Sequence, residues 1–445
     1  MAGLDPSLLE GTDFHDCRDV FLSAWEKIQE VFKSAYKYRI GILIGNILIS
    51  MFSVFFIHYI FLDLHAAPGK QNANSHSGTS KPPTFFSSKH NMQHTTHILT
   101  TLLSHLNQFL YSHSPPLPNL IGIELINEPD PPSDASLQSW YTTSIQKLRS
   151  VDATIPLYIG ERWRLDAYSD WLVQSHDGGD ALTVLDHHLY RCFTSSDINI
   201  PAADHTRALD PEADGHTFHY FTSLSEKLGL VSGGSGIVAG EWSGALNPGS
   251  LSTSSSGGWE ETKQYVDAQI RLYDKTCAGY FFWTFKKQHP GDFGWSLRDA
   301  VGAGTFPDRL GLRSTIPGGV IEPDDVARAK SDIMNRACGE DVLFFDVNET
   351  INGCAENHRK WWSQYPGSYE HWKFDDGFSK GWDEALRFLM FDLSGNNSLT
   401  ELGFTRAWAR LQTEDHGSNY WEFEHGFLQA VNEARNFFQN HFGYA

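Results

Sequence analysis

The sequence predicts an α/β protein, a mostly parallel sheet covered by helices and followed by a separate helical C-terminal region. Three observations carry this. Apolar, β-rich runs alternate with amphipathic helical stretches from about residue 61 to 285, the order that builds parallel sheets. The chain has 445 residues, enough for a closed sheet-and-helix domain of about 250–300 residues plus an extra unit. After about residue 340 the strand pattern stops and a helical sequence occurs twice.

The N-terminus, MAGLDPSLLEGTDFHD, is acidic and polar. It lacks a basic stretch followed by an apolar core, so no secretory signal is expected and the chain reads as cytoplasmic. Residues 19–39 place apolar side chains at helical spacing. Residues 40–62 (IGILIGNILISMFSVFFIHYIFL) carry no Asp, Glu, Lys or Arg and are long enough to span a bilayer. Lys33, Lys37 and Arg39 precede them, so a signal anchor would leave the rest of the chain at the cell surface. Strand-like runs follow at 61–65 (FLDLH), 121–127 (IGIELIN), 156–160 (PLYIG), 182–190 (LTVLDHHLY), 236–242 (GIVAGEW) and 279–285 (GYFFWTF). Helical stretches cover 91–112, 136–150 and 259–275. Eight such strand–helix units would close a barrel, and six strands are evident. A Ser/Gly-rich loop spans 245–258.

In the C-terminal region, WKFDDGFSKGWDEALRFL at 372–389 matches WEFEHGFLQAVNEARNFF at 421–438. Two copies are too few for a solenoid. They read as helical hairpins packed on barrel helices, with Trp372, Phe374, Phe378, Trp421, Phe423 and Phe427 buried as anchors. The expected division is 1–60 as an incomplete N-terminal barrel segment with an apolar insertion, 61–340 as the barrel and 341–445 as the helical extension with its internal duplication.

The net charge is −20, and no basic stripe is present, which excludes nucleic acid as a partner. Aromatic residues make up 13% of the chain, with 14 Trp. Such rings pack against the C–H faces of sugars, although most Trp belong to cores. The five cysteines show no CxxC and no metal-ligand spacing, and only Cys338 and Cys354 are placed for a local bridge. There is no HExxH and no Gly-rich phosphate loop, so neither metal nor cofactor is expected. A monomer is expected.

Two carboxylates stand out. IGIELINEP places Glu128 at the end of an apolar run, and GIVAGEWS places Glu241 similarly on another. A single Glu at a strand end is usually a solvated rim residue. Two of them, on separate buried strands with His and aromatic motifs at other strand ends, fit acid-assisted cleavage of a glycosidic bond. One carboxyl protonates the leaving oxygen, and the other attacks the anomeric carbon or activates water. Glu124, on the same alternating face as Glu128, reads as a buried supporting carboxylate.

At DLHAAPGKQNANSHSG (63–78), NLIGIELINEP (119–129), TVLDHHLYRCF (183–193), VAGEWSGALNPGSL (238–251) and GYFFWTFKKQHPGDFGWSLRDAVGAG (279–304) the chain resembles the fungal exo-β-1,3-glucanases of glycoside hydrolase family five. YPGSYEHWKFDDGF and YWEFEHGF resemble the C-terminal extension of an intracellular-type branch. The resemblance implies a (β/α)8 TIM-type barrel that retains anomeric configuration. It implies Glu128 as acid/base, Glu241 as nucleophile and Asn127 as a ligand of the sugar 2-OH. His188 and Tyr190 would flank the nucleophile, His65 would line the −1 subsite and Trp283 would form its stacking floor. The substrate would be β-1,3-glucan or another β-glucoside. Other glucoconjugates, or an inactive glucan-binding or membrane-anchored homologue, are the alternatives. The family's first two strands, one bearing a sugar-binding Arg, have no counterpart here. Removing Gly45–Phe61 would join IGILI to LDLHAAPG and restore the third strand, so that stretch reads as an insertion.

Overall fold

The computed structural model describes residues 60–306 except 79–81, 115–116, 118–119, 176–181, 230–234 and 253–257. It also describes 354–442 except 390–404 and 414–418, together with 23, 25–30, 32–33, 44–45, 48–49 and 328. The chain divides into two compact units, Met1–Leu157 with Leu393–Asn396, and Tyr158–Asp392 with Asn397–Ala445. The expected boundary near residue 340 lies outside the described residues.

The first unit carries β1 (Ile44–Gly45), β2 (Leu48–Ile49), β3 (Ile60–Asp63) and β4 (Leu120–Glu124) in the order β2-β1-β3-β4. β2 runs antiparallel to β1; β1–β3 and β3–β4 are parallel. The register sets Phe61 against Gly122, Leu62 against Ile123 and Asp63 against Glu124. Helices α1 (Lys89–Tyr111) and α2 (Asp134–Arg149) begin at Ser88 and Ser133, whose hydroxyls accept from the Asn91 and Ser136 amides. Leu99, Leu103 and Leu106 of α1, Leu137, Ile145 and Leu148 of α2 and Ile123 of β4 are buried. A Thr96–Ser144 hydroxyl contact of 2.8 Å ties the two helices. The described residues between 23 and 33 are helical, as the spacing predicts, and Phe32 packs edge-on to Phe109.

This arrangement bears on residues 40–62. The described ones among them form strands, which a continuous membrane-crossing helix does not allow. Among the described residues no helix is long and apolar enough to cross a membrane. The insertion reading is modified: Ile44–Gly45 does not run on into the strand that carries Asp63 but pairs beside it.

The second unit carries β5 (Leu157–Gly160) from Tyr158 onward, then β6 (Thr183–Arg191), β7 (Ser235–Leu246) and β8 (Tyr280–Phe282) in sequence order. β6–β7 and β7–β8 are parallel. Between the strands lie α3 (Leu165–Ser175), α4 (Ala202–Leu209), α5 (His216–Gly229) and α6 (Trp259–Thr276), with α7 (Leu297–Ala303) after β8. Val184, Leu185, Ile237, Val238, Trp242, Phe221, Leu224, Leu272 and Tyr273 build the core. Successive residues of β6 from Thr183 to His188 are buried on both of its faces, and the strand opens with an apolar Val184–Leu185 pair before its polar residues. The protein is an α/β protein with an incomplete parallel TIM-type barrel and a helical C-terminal extension.

That extension comprises α8 (Cys354–Trp362), α9 (Trp372–Leu389), α10 (Thr405–Leu411) and α11 (Tyr420–Phe442). The duplicated helices α9 and α11 pack chiefly on each other. Their glycines explain how. A Cβ at Gly377 would stand 2.1 Å from the Phe423 carbonyl oxygen, and one at Gly426 2.1 Å from that of Phe374. The repeat therefore contacts itself reciprocally, glycine against backbone. Phe374, Phe378, Phe423 and Phe427 are buried as expected, but Trp372 is 62% exposed and Trp421 only partly covered. Trp372 opens α9 and lies away from the glycine face. Cys354 is disulfide-bonded, while its expected partner Cys338 lies outside the described residues.

Candidate active site

In the first unit, β4 ends at Glu124, and Glu128 lies in the turn that follows, with φ of +42°. The strand alternation that seemed to align Glu124 with Glu128 stops short of Glu128. Glu124 itself is buried. The turn is fixed by hydrogen bonds from the DLHAAPGKQNANSHSG segment. The Asn127 amide donates to the Leu64 carbonyl at 3.1 Å. The Gln71 side-chain amide donates to the carbonyls of His65 (2.8 Å) and Asn127 (2.9 Å). The Asn72 side-chain amide donates to the Glu128 carbonyl at 2.8 Å. His65 Nδ1 meets Asp63 Oδ2 at 2.8 Å, which fixes its ring.

Glu128 Oε2 lies 3.2 Å from His76 Nε2, and its side chain is 12% exposed. Asn127 is buried, yet among the described residues neither its Oδ1 nor its Nδ2 has a hydrogen-bond partner. A buried, unpaired amide costs about 1–3 kcal/mol, so this one is poised for a polar ligand. His65, Asn127 and Glu128 thus share one neighbourhood. Gln71, Asn72 and His76 belong to it too, and sequence reasoning did not single them out. Their signal was the dense polar run at 71–77, directly after a strand.

In the second unit, Glu241 lies inside β7, which runs on to Leu246 rather than ending at the carboxylate. The β6–β7 register shifts at His187/His188, so that His188 faces Glu241. Such a bulge re-aims side chains. The Tyr190 hydroxyl donates to Glu241 Oε2 at 2.8 Å, and His188 Nδ1 lies 3.5 Å from the same oxygen. His188 Nε2 lies 3.3 Å from Asp186 Oδ2. Asp186, His188 and Tyr190 alternate along β6 on one face. His187, on the other face, is held by Glu161 at 2.6 Å and is absorbed structurally. Gly240 has a steric role: a Cβ there would stand 1.8 Å from Asp186 Oδ1.

Trp283 follows β8, and its amide donates to the Trp242 carbonyl at 2.7 Å, linking β8 to the Glu241 strand. Tyr190, Phe193 and Trp295 form a ring cluster with centroid separations of 5.4–5.7 Å. Phe193 is 66% exposed, so the cluster presents an aromatic surface beside the carboxylate. Sequence reading missed Phe193 and Trp295, though both lie in the quoted motifs. Burial pushes the Cys192 thiol up to about 11, aided by Asp197, and the Cys277 thiol up to about 12. Both shifts disfavour the thiolate, the nucleophilic form, at neutral pH.

Residues 346–438 match the "Glucan 1,3-beta-glucosidase 3 C-terminal domain" family. The chain is 24% identical over 446 residues to an uncharacterized glycosyl hydrolase of Saccharomyces cerevisiae, covering 97% of this chain and 74% of the relative. It is 28% identical over 436 residues to glucan 1,3-beta-glucosidase 3 of Schizosaccharomyces pombe, covering 95% and 75%. With the glucan 1,3-beta-glucosidase of Lachancea kluyveri it shares 27% identity over 285 residues, 56% of this chain and 60% of the relative. Fold and matches define the protein's class: it is a glycoside hydrolase. More narrowly, it resembles the fungal-type glucan 1,3-β-glucosidases, and residues matching their C-terminal domain family follow an incomplete barrel.

Proposed function

We propose that the chain releases glucose from the ends of β-1,3-glucan with retention of configuration, using Glu241 as nucleophile and Glu128 as acid/base. The observation that carries this reading is the setting of Glu241. Its Oε2 is engaged by the Tyr190 hydroxyl and faces His188, which orients the carboxylate for attack.

In the first step Glu241 bonds to the anomeric carbon while Glu128 gives its proton to the departing glycosidic oxygen. A glycosyl ester of Glu241 remains. In the second step Glu128 takes a proton from water, and the water oxygen displaces Glu241 from the anomeric carbon. The proton returned to Glu128 restores the enzyme. Asn127 binds the sugar 2-OH, which its unpartnered amide supports. His65 lines the subsite, and Trp283 supplies the stacking floor.

Kinetics of two variants test these roles. Glu241→Gln leaves no nucleophile and should abolish turnover of glucan and of aryl β-glucosides. Glu128→Ala should lose rate mainly on poor leaving groups and recover with azide, which attacks without a general base. Equal residual activity of the two variants on an activated aryl glucoside, without azide rescue, would overturn the assignment.

A further inference from the structure

We propose that the C-terminal extension contains a divalent metal site of zinc type, built from His358, His371 and Glu422. The three ligand atoms lie within 4.8 Å of one another. His358 Nε2 is 3.0 Å from Glu422 Oε2, and His371 Nδ1 is 2.8 Å from the same oxygen. Two ligands on a tetrahedral zinc ion, each about 2.0–2.1 Å from the metal, stand roughly 3.3 Å apart. The ligand atoms therefore need to separate by only a few tenths of an ångström to admit the ion.

The surroundings fit a metal better than chance polar contact. Glu422 is fully buried, and its other oxygen, Oε1, accepts from the Glu370 amide at 2.7 Å, leaving Oε2 for the ion. His358 is buried, and its second nitrogen, Nδ1, meets His425 Nδ1 at 3.1 Å, which fixes the ring. Phe374 stacks on His358 at 4.2 Å, and Tyr369 stacks on His371 at 5.4 Å. These walls lower the local polarity, which strengthens the attraction between cation and carboxylate. His371 is 25% exposed, which gives the ion a way in and leaves room for a fourth ligand from solvent.

The internal repeat supports the assignment. The two copies share the Trp-x-Phe-x-x-Gly-Phe core but differ at polar positions within it. Glu422 and His425 stand where the first copy has Lys373 and Asp376. The close backbone approaches of the crossing fall at Gly377, Gly381 and Gly426, not at these polar positions, so the His/Glu set is an addition to it. Two neutral imidazoles and one carboxylate give a His₂Glu set, which suits zinc or cobalt. Two tautomer shifts, with no net proton loss, turn the imidazole lone pairs toward the ion.

The test uses the full chain, stripped with a chelator and titrated with Co²⁺ and then Zn²⁺. We expect one equivalent of Co²⁺ to give the visible absorption of a tetrahedral site and Zn²⁺ to displace it, with a rise in the melting temperature of the extension. His371→Ala, at the partly exposed ligand, should remain folded and lose the band. His425→Ala should keep the stoichiometry and weaken affinity about 10–100-fold. Absence of the band in the wild type, or an unchanged band and affinity in a folded His371→Ala, would overturn the proposal. In that case the cluster is joined by protons alone.

Discussion

Replacing Tyr190 by Phe isolates one hydrogen bond at the proposed nucleophile. The ring remains, with its contacts to Phe193 and Trp295 at 5.5 and 5.4 Å, so packing is preserved. What is lost is the hydroxyl donating to Glu241 Oε2 at 2.8 Å. A hydrogen bond to a charged group is worth about 1.5–3 kcal/mol, and the Glu241 side chain is only 12% exposed, so little screening reduces it. If the bond serves attack rather than folding, the loss appears in kcat. Each 1.4 kcal/mol is about tenfold, so kcat on an aryl β-glucoside should fall about 10- to 100-fold. The melting temperature should move little. Steady-state kinetics with a parallel thermal melt make the measurement. A kcat within about threefold of wild type, or a loss explained by unfolding, would refute the reasoning.

Two further predictions concern stability. Gly426→Ala should destabilise the extension by about 3 kcal/mol, because its Cβ meets the Phe374 carbonyl at 2.1 Å and backbone cannot yield cheaply. Helix propensity alone would stabilise it by about 1 kcal/mol, so a raised melting temperature would contradict the close crossing. The second concerns Asp210. Burial raises its carboxyl pKa, but Arg271 at 2.9 Å and the Glu212 amide outweigh this and hold it below the usual range. That stabilisation is present above the unfolded carboxylate value of about 3.9 and is lost as pH falls through the folded value. Asp210→Asn should therefore cost about 1 kcal/mol at pH 7, and the deficit should shrink in chemical denaturation below about pH 4. A deficit independent of pH would refute the ion-pair account.

The strands were legible because they are buried on both sides and read as apolar runs. LTVLDHHLY became β6, and GIVAGEW became the first part of β7. Glu128 and Glu241 were visible as polar breaks in such runs. Their local geometry was not. The turn after Glu124 depends on Gln71 and Asn72, more than 50 residues away, and a register shift turns His188 toward Glu241. Gly240 carries no pattern signal, since its need arises only from the Asp186 side chain opposite. In the extension, repetition revealed the aromatic positions but not that Trp372 faces outward, nor that glycines bring α9 and α11 together. His358, His371 and Glu422 lie at irregular intervals, and only the helix crossing gathers them.

The central claim, that Glu241 is the nucleophile of a retaining glucosidase, is tested most directly by trapping. A 2-deoxy-2-fluoro-β-glucoside with an activated leaving group forms the glycosyl-enzyme quickly and releases it slowly. After incubation, mass spectrometry of the digested chain should find one fluoroglucosyl group on the peptide containing Glu241, with inactivation in step with labelling. A label on another carboxylate, or time-dependent turnover of ordinary aryl glucosides with no label at all, would contradict the account.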